Sequence, residues 1–70
     1  MIIVKISPTM LVNLDNVHGI SLAGNKVRFI TSSKDASITK FCDTELIAYK
    51  AFEFLNERLK AGDTFIDITD

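Results

Sequence analysis

The stretch "DTELIAYKAFEFLNERLKAG", residues 43–62, decides the fold class, because here the spacing of apolar residues becomes helical. At 100° per residue the apolar side chains share one broad arc, while charged side chains such as Lys50 and Glu57 lie on the opposite side. Asp43 or Thr44 is a suitable N-cap, and Gly62 stands where a left-handed residue ends a helix. The pattern predicts one helix of about 17 residues between these signals.

The apolar arc of this helix leaves two interpretations open. It spans about 160°, wider than the 100° stripe that a surface helix usually shows. Arg58 lies inside the arc, whereas Leu46 and Tyr49 lie outside it, near the polar side. In one interpretation the arc faces a single sheet and Arg58 extends its charged end to water. In the other, the helix is buried twice, by its own sheet and by a neighbouring subunit.

Outward from the helix, the chain alternates between apolar and polar residues. Short strands are predicted at residues 2–6, 10–14, 17–22, 26–31 and 37–41, and Gly24-Asn25 suits a two-residue hairpin turn. After Gly62, the stretch "DTFIDITD" alternates again and predicts a terminal strand, which either closes its own sheet or pairs with another subunit. We expect an α+β fold in a single domain over residues 1–70. It is a small antiparallel β-meander of about five strands packed by one C-terminal α-helix, followed by a short terminal strand.

The length and composition favour association between copies of the chain. A chain of 70 residues buries only about 60% of the surface that its unfolded form exposes, yet 47% of these residues are hydrophobic. Cys42 is the only cysteine, so the chain has no internal disulfide, and one cysteine with one histidine cannot complete a four-ligand zinc site. We therefore predict a homo-oligomer. The candidate subunit contacts are Leu46, Tyr49, Phe52, Phe65, Ile66 and Ile68.

No pattern in the sequence points to catalysis. The glycines at positions 19, 24 and 62 form no phosphate-binding loop, and His18 is the only histidine that could serve as a base for a nucleophile. We expect His18 to be an ordinary strand residue and Cys42 to be a buried small residue at the strand–helix junction. Neither an enzymatic activity, nor a cofactor, nor a metal site is predicted.

Charge is divided unevenly along the chain. The segment from His18 to Phe41 carries four basic residues and one acid, whereas the segment after it carries seven acids and three basic residues. The candidate basic surface consists of Lys26, Arg28, Lys34 and Lys40. It is interpreted as the solvated face of a sheet, as one of two complementary ends that steer subunits together, or as a nucleic-acid surface.

The alternation of side chains argues against the nucleic-acid interpretation. On a strand, Arg28 and Phe29 point to opposite faces, and Lys40 and Phe41 do the same. The rings and cations would then not share the single surface on which bases stack.

Three functions are compatible with these patterns. The leading expectation is a non-catalytic interaction and assembly module that acts as a homo-oligomer. The alternatives are a weak single-stranded nucleic-acid binder using the basic meander, and a small-ligand-binding oligomer with pockets between subunits. No stretch approaches the roughly 20 apolar residues of a membrane span, and residues 1–6 lack the features of an export signal. A soluble, cytoplasmic protein without a membrane partner is expected.

Overall fold

The computed structural model describes residues 1–31 and 37–69. In chain order the elements are β1 (Ile3–Ser7), β2 (Met10–Asn13), a 3-10 turn (Leu14–Asn16), β3 (Val17–Ala23), β4 (Lys26–Thr31), β5 (Ile38–Phe41), α1 (Glu45–Lys60) and β6 (Phe65–Asp67). The expected small α+β fold, with strands first and one helix before a terminal strand, is confirmed.

The strands form two sheets of three strands each, rather than one continuous meander. Sheet 1 has the order β2-β1-β6, and sheet 2 has the order β3-β4-β5. Sheet 2 is an antiparallel meander, as expected, whereas β1 and β2 form a separate hairpin. The terminal strand β6 lies parallel to β1 with Phe65 beside Ile3, so within this chain it closes sheet 1.

The turn between β3 and β4 is hydrogen-bonded to Cys42, the residue that follows β5. Gly24 has a φ of +60°, a conformation that favours glycine and suits the first central position of a type II′ hairpin turn. The Asn25 side-chain Nδ2 donates to the Cys42 carbonyl at 3.0 Å, and the Cys42 N–H donates to the Asn25 carbonyl at 2.9 Å. This reciprocal pair connects the hairpin turn to the junction between β5 and α1.

Both ends of α1 are capped as the sequence indicates. The Thr44 Oγ1 accepts a hydrogen bond from the Ile47 N–H at 3.1 Å, which makes Thr44 the N-cap. Gly62, at a φ of +84°, ends the helix, and the Asp63 N–H donates back to the Arg58 carbonyl at 3.1 Å. Arg58 also reaches outward to Asp63, with 3.5 Å between the Arg58 Nη1 and the Asp63 Oδ2.

One hydrophobic core joins the helix to both sheets. Each sheet turns alternate side chains towards this core and leaves its other face towards solvent. The buried residues are Val4, Ile6 and Val12 from sheet 1, Val27 and Phe29 from sheet 2, Ala48 and Leu55 from α1, and Cys42, Ile66 and Ile68. Since these residues make a single cluster, the surfaces left for function are the two outer faces, the strand edges and the exposed side of α1.

Candidate functional site

The outer face of sheet 2 carries two of the four predicted basic residues. Lys26 and Arg28 point outward because Val27 and Phe29, which alternate with them on β4, are fully buried. Cross-strand pairing sets Lys26 opposite Phe41. The Phe41 side chain is 67% exposed, and the Lys26 Nζ lies 5.5 Å from its ring centroid, within the range of a cation–π contact. Lys26, Arg28 and Phe41 are called the basic face below.

Lys40 lies on the inner face of sheet 2, which corrects its placement in the candidate basic surface. It pairs with the buried Val27 and is itself only 9% exposed. Its Nζ donates to the Ile6 carbonyl at 2.9 Å, at the end of β1. The aliphatic stem of a lysine can pack in a core when its ammonium finds an acceptor, and this bond provides one. Lys34 lies outside the described residues.

The relation between rings and cations also differs from the expectation. Arg28 and Phe29 do point to opposite faces. Lys40 and Phe41 also point to opposite faces of their strand, but Phe41 is the one that points outward. Phe41 therefore shares a face with Arg28 and Lys26, and the objection to a nucleic-acid surface no longer holds.

The predicted subunit contacts divide into exposed and buried residues. Leu46 and Tyr49 are exposed on the side of α1 that turns away from the core, and Phe65 is exposed on the outer face of sheet 1. Ile66 and Ile68 are 2% and 4% exposed, because that side of the terminal segment completes the chain's own core. In this fold their side chains do not reach a second subunit, which corrects their inclusion.

The outer face of sheet 1 combines apolar side chains with one pair of opposite charges. Each strand contributes one apolar residue: the half-buried Ile3 from β1, Leu11 from β2 and Phe65 from β6. These three residues are called the apolar band. Lys5 and Asp67 lie next to each other on the same face, in register across β1 and β6.

Asp67 is held in its charged form by the residue that follows the strand. Its carboxylate accepts hydrogen bonds from the Thr69 hydroxyl and from the Thr69 N–H. The hydroxyl first, and then the N–H, lower the pKa of Asp67, and the positive charge of Lys5 lowers this pKa further. The carboxylate is therefore ionised beside Lys5 at neutral pH.

Two open grooves flank α1, and no local sequence signal marks either of them. The first, called the β3 groove, has a volume of about 390 Å³ and lies between the start of β3 and the second half of α1. Its walls are mainly apolar and include Ile20 and Phe52, and its polar side chains are His18 and Asn56. Phe52 is the remaining residue of the six predicted subunit contacts. The second groove, of about 400 Å³, lies between the first half of α1 and residues 67–69.

The groups with reactive chemistry are few. His18 is exposed in the β3 groove, and Cys42 is buried where β5 leads into α1. Within residues 1–31 and 37–69, no group of three or more histidine, cysteine or acidic residues is placed to hold a metal ion. In the same ranges no helix has the length and apolar character needed to cross a membrane.

Comparison with known proteins finds no match among family models, curated proteins or solved structures. The candidates for function are therefore the chain's own surfaces. They are the basic face, the apolar band, the β3 groove and the strand edges.

Proposed function

We propose that this chain is a non-catalytic interaction module that works as a homo-oligomer. The observation that carries the proposal is the apolar band, in which Leu11 and Phe65 are 60% and 55% exposed. Covering apolar surface contributes about 25 cal/mol per Å² to association. A domain of 70 residues has little internal burial to stabilise it, so covering the band with a second copy adds stability that the isolated chain lacks.

The charges beside the apolar band favour a second copy of the chain as its partner. Two-fold symmetric interfaces bring the same surface of both subunits together, so a suitable surface must complement itself. Lys5 and Asp67 give this face one positive and one negative group side by side. When two copies face each other about a two-fold axis, Lys5 of one protomer can meet the partner's Asp67.

The single thiol bears on the compartment in which the module works. Cys42 is the only cysteine and is buried. A chain with one cysteine forms no internal disulfide; disulfides stabilise many small secreted domains, whereas proteins of a reducing cytoplasm usually lack them. We place the module in the cytoplasm on this ground.

Light scattering on a sizing column, at low and moderate salt, tests the proposed self-association. The wild-type chain is expected to be larger than a monomer at both salt concentrations, because apolar burial depends little on ionic strength. Phe65→Ser should lower the average mass at a given protein concentration. A wild-type chain that is monomeric at both salts, at concentrations up to the millimolar range, would contradict the proposal.

Phe41→Ser is the matched control for this experiment. Phe41 is also an exposed phenylalanine on the outer face of a three-stranded sheet, but it belongs to sheet 2. Its replacement removes a similar apolar area without touching the apolar band. The mass of this variant should equal that of the wild type, and an equal drop in both variants would show that the effect does not depend on the apolar band.

The basic face supports a second candidate function, weak binding of single-stranded nucleic acid. Proteins of this kind stack bases on exposed aromatic rings and hold the phosphates with neighbouring cations. Phe41 is the exposed ring, and Lys26 and Arg28 are the cations on the same face. This arrangement is what the second candidate rests on.

Fluorescence anisotropy with a labelled single-stranded oligonucleotide separates the two functions. If the basic face binds it, Arg28→Glu and Phe41→Ser should each weaken binding, and added salt should weaken it further. Lys60→Glu, an exposed charge reversal at the end of α1, is the control. If Lys60→Glu weakens binding as much as Arg28→Glu does, the attraction is nonspecific. If the wild-type chain does not bind the oligonucleotide at low salt, this candidate function is excluded.

A further inference from the structure

The two sheets have four edge strands, and three of them are too short to offer another chain a long edge. An edge strand presents unpaired N–H and C=O groups, which natural proteins protect with short strands, bulges, prolines or inward-pointing charges. β2 has four residues, Pro8 precedes it, and its pairing with β1 is irregular between Lys5 and Ser7. β5 has four residues and turns Lys40 inward, and β6 has only three residues.

The fourth edge, β3, has only one of these features, a bulge between Val17 and Gly19, and it pairs regularly with β4 from Gly19 to Ala23. It is the longest strand, with seven residues, and its sequence "VHGISLA" contains no lysine, arginine, acid or proline. β4 is its only partner strand among the residues that the structure describes. Ala23 and Lys26 pair directly beside the two-residue turn, so the antiparallel alternation directs the N–H groups of Ile20 and Leu22 towards the free edge.

The β3 groove lies directly beside this edge. Ile20 forms part of its wall on the strand side, and Phe52 and Leu59 form part of its wall on the helix side. A strand added to β3 places every second side chain on the face that packs against α1. The backbone of such a strand would meet the free edge, while its inward side chains would enter the groove.

We infer that β3 pairs with β3 of a second copy, antiparallel about a two-fold axis, and joins two copies of sheet 2 into one six-stranded sheet. The strand complements itself: its outward residues Gly19, Ser21 and Ala23 are small, and its inward residues Ile20 and Leu22 are apolar. No like charges meet when the strand lies against its own copy. This inference rests on the proposed self-association and adds a second contact between copies, at the edge of sheet 2 and separate from the apolar band of sheet 1.

Ser21→Glu tests the inferred pairing with little disturbance to the single chain. Ser21 lies opposite Arg28, so an introduced carboxylate has a favourable cross-strand partner within its own sheet. In a β3 pair centred near Ile20 or Ser21, the two introduced carboxylates lie within about 8 Å of each other and repel. The dissociation constant of the β3 pair should rise by at least roughly tenfold.

Thr39→Glu is the matched control. Thr39 also pairs with Arg28, but from β5 on the opposite side of β4. This variant introduces the same charge beside the same arginine, away from the β3 edge. It should associate as the wild type does, as measured by sedimentation equilibrium over a range of concentrations.

Amide hydrogen exchange supplies a readout that belongs to the β3 edge alone. The N–H groups of Ile20 and Leu22 should exchange slowly in the concentrated wild-type protein and faster on dilution. Ser21→Glu should remove this protection, and Thr39→Glu should retain it. An oligomer whose mass and exchange are unaffected by Ser21→Glu would overturn the inference while leaving the proposed self-association intact.

Two other results would also overturn the inference. A wild-type chain that stays monomeric removes both the β3 pair and the self-association on which it rests. If the edge amides become protected only when a synthetic peptide of alternating apolar residues is added, the edge accepts a foreign strand and not a second copy.

Discussion

Sheet 1 and sheet 2 have the same number of strands but are assembled in different ways. Sheet 2 contains three strands that are consecutive in the chain, and β3 and β4 are joined by a two-residue turn. Sheet 1 combines the β1–β2 hairpin with β6, whose Phe65 lies beside Ile3. Local patterns are sufficient to predict the strand pairing of sheet 2, whereas the pairing of β6 in sheet 1 depends on packing between residues that are distant in the sequence.

The outer faces of the two sheets differ in the same clear way. Sheet 2 presents Lys26, Arg28 and Phe41, while sheet 1 presents the apolar band around Lys5 and Asp67. A cationic face is suited to an anionic partner, and an apolar face with paired charges is suited to its own copy. The molecule thus separates two kinds of contact on two sheets that share one core.

Ile66→Ala should have the largest effect, because it opens the core where sheet 1 closes. Ile66 is 2% exposed, and replacing a buried isoleucine with alanine costs about 2–5 kcal/mol. Since the two sheets share one core, urea unfolding should report this loss equally from sheet 1 and sheet 2. Phe65→Ala, on the exposed side of the same strand, is the control, measured at a concentration where the chain is dissociated. If sheet 2 kept its stability while β6 was lost, the sheets would be independent units.

Lys40→Met should have the next largest effect, because Lys40 is a direct hydrogen-bond link between the sheets. Its Nζ bond to the Ile6 carbonyl involves a charged donor, for which a contribution of about 1.5–3 kcal/mol is typical. Methionine keeps the apolar stem and removes the bond, so the free energy of unfolding should fall. Lys26→Met, at an exposed site, should cost no more than about 1 kcal/mol. An unchanged or higher stability in Lys40→Met would show that the free-energy cost of burying the ammonium equals or exceeds the stabilisation from its hydrogen bond.

Gly62→Ala should weaken the turn that directs the chain from α1 into β6. At a φ of +84°, an L-residue costs about 1–2 kcal/mol relative to glycine. Gly19→Ala in sheet 2 is the control, because its φ lies outside the left-handed region and its new Cβ would be 3.9 Å from the Ile30 Cδ1, an ordinary contact. Thermal unfolding of both variants gives the comparison. If both variants lose the same stability, the left-handed conformation of Gly62 is not the cause of the loss in Gly62→Ala.

Thr69→Val should have the smallest effect, and it concerns the charge on the outer face of sheet 1. Thr69 lowers the pKa of Asp67 in the folded chain, so this carboxylate stabilises the fold above its ordinary pKa of 3.8. That stabilisation is lost as the pH falls below 3.8 and through the folded-state pKa. Removing the hydroxyl should raise the pKa of Asp67, as measured by an NMR titration of its carboxyl carbon. Thr64→Val should leave this pKa unchanged, and an unchanged value in Thr69→Val would contradict the role given to the hydroxyl.

The sequence predicted the helix and the central hairpin well because their signals are local. Thr44 and Gly62 bound α1, which has 16 residues where about 17 were expected from its capping signals. Gly24 provides the positive φ of the hairpin turn. Each of these residues acts on backbone groups within a few positions along the chain, so the sequence alone contains the information.

Strand β5 shows why the basic face was not predictable. In "ITKF" each face of the strand carries one apolar and one polar side chain, Ile38 with Lys40 and Thr39 with Phe41. Alternation alone therefore does not predict which of the two faces is buried in the core. Pairing with the buried Val27 sets Lys40 on the core side, and there its ammonium finds the Ile6 carbonyl, which belongs to a strand that is distant in sequence. Information of this kind is present only once both sheets have packed.

The same distance in sequence explains why the sequence predicts Ile66 and Ile68 as subunit contacts. An apolar alternating terminal strand needs a partner edge, and nothing near it in the chain identifies that edge as β1 or as another subunit. The parallel pairing of Ile3 with Phe65 supplies the partner from within the chain. The β3 edge, which has no second partner strand in the described residues, follows from the strand order of sheet 2, and local patterns do not contain that order.

The parallel pairing of β1 with β6 also has a consequence during synthesis on the ribosome. Residues 65–67 are translated roughly 3 to 12 seconds after residues 3–7, at typical elongation rates of 5–20 residues per second. Throughout that interval the nascent β1 has an unpaired edge, and its inward residues Val4 and Ile6 lack the β6 and α1 residues that cover them in the finished core. Chaperone contact with this hairpin would protect the growing chain until β6 has been synthesised and can pair with β1.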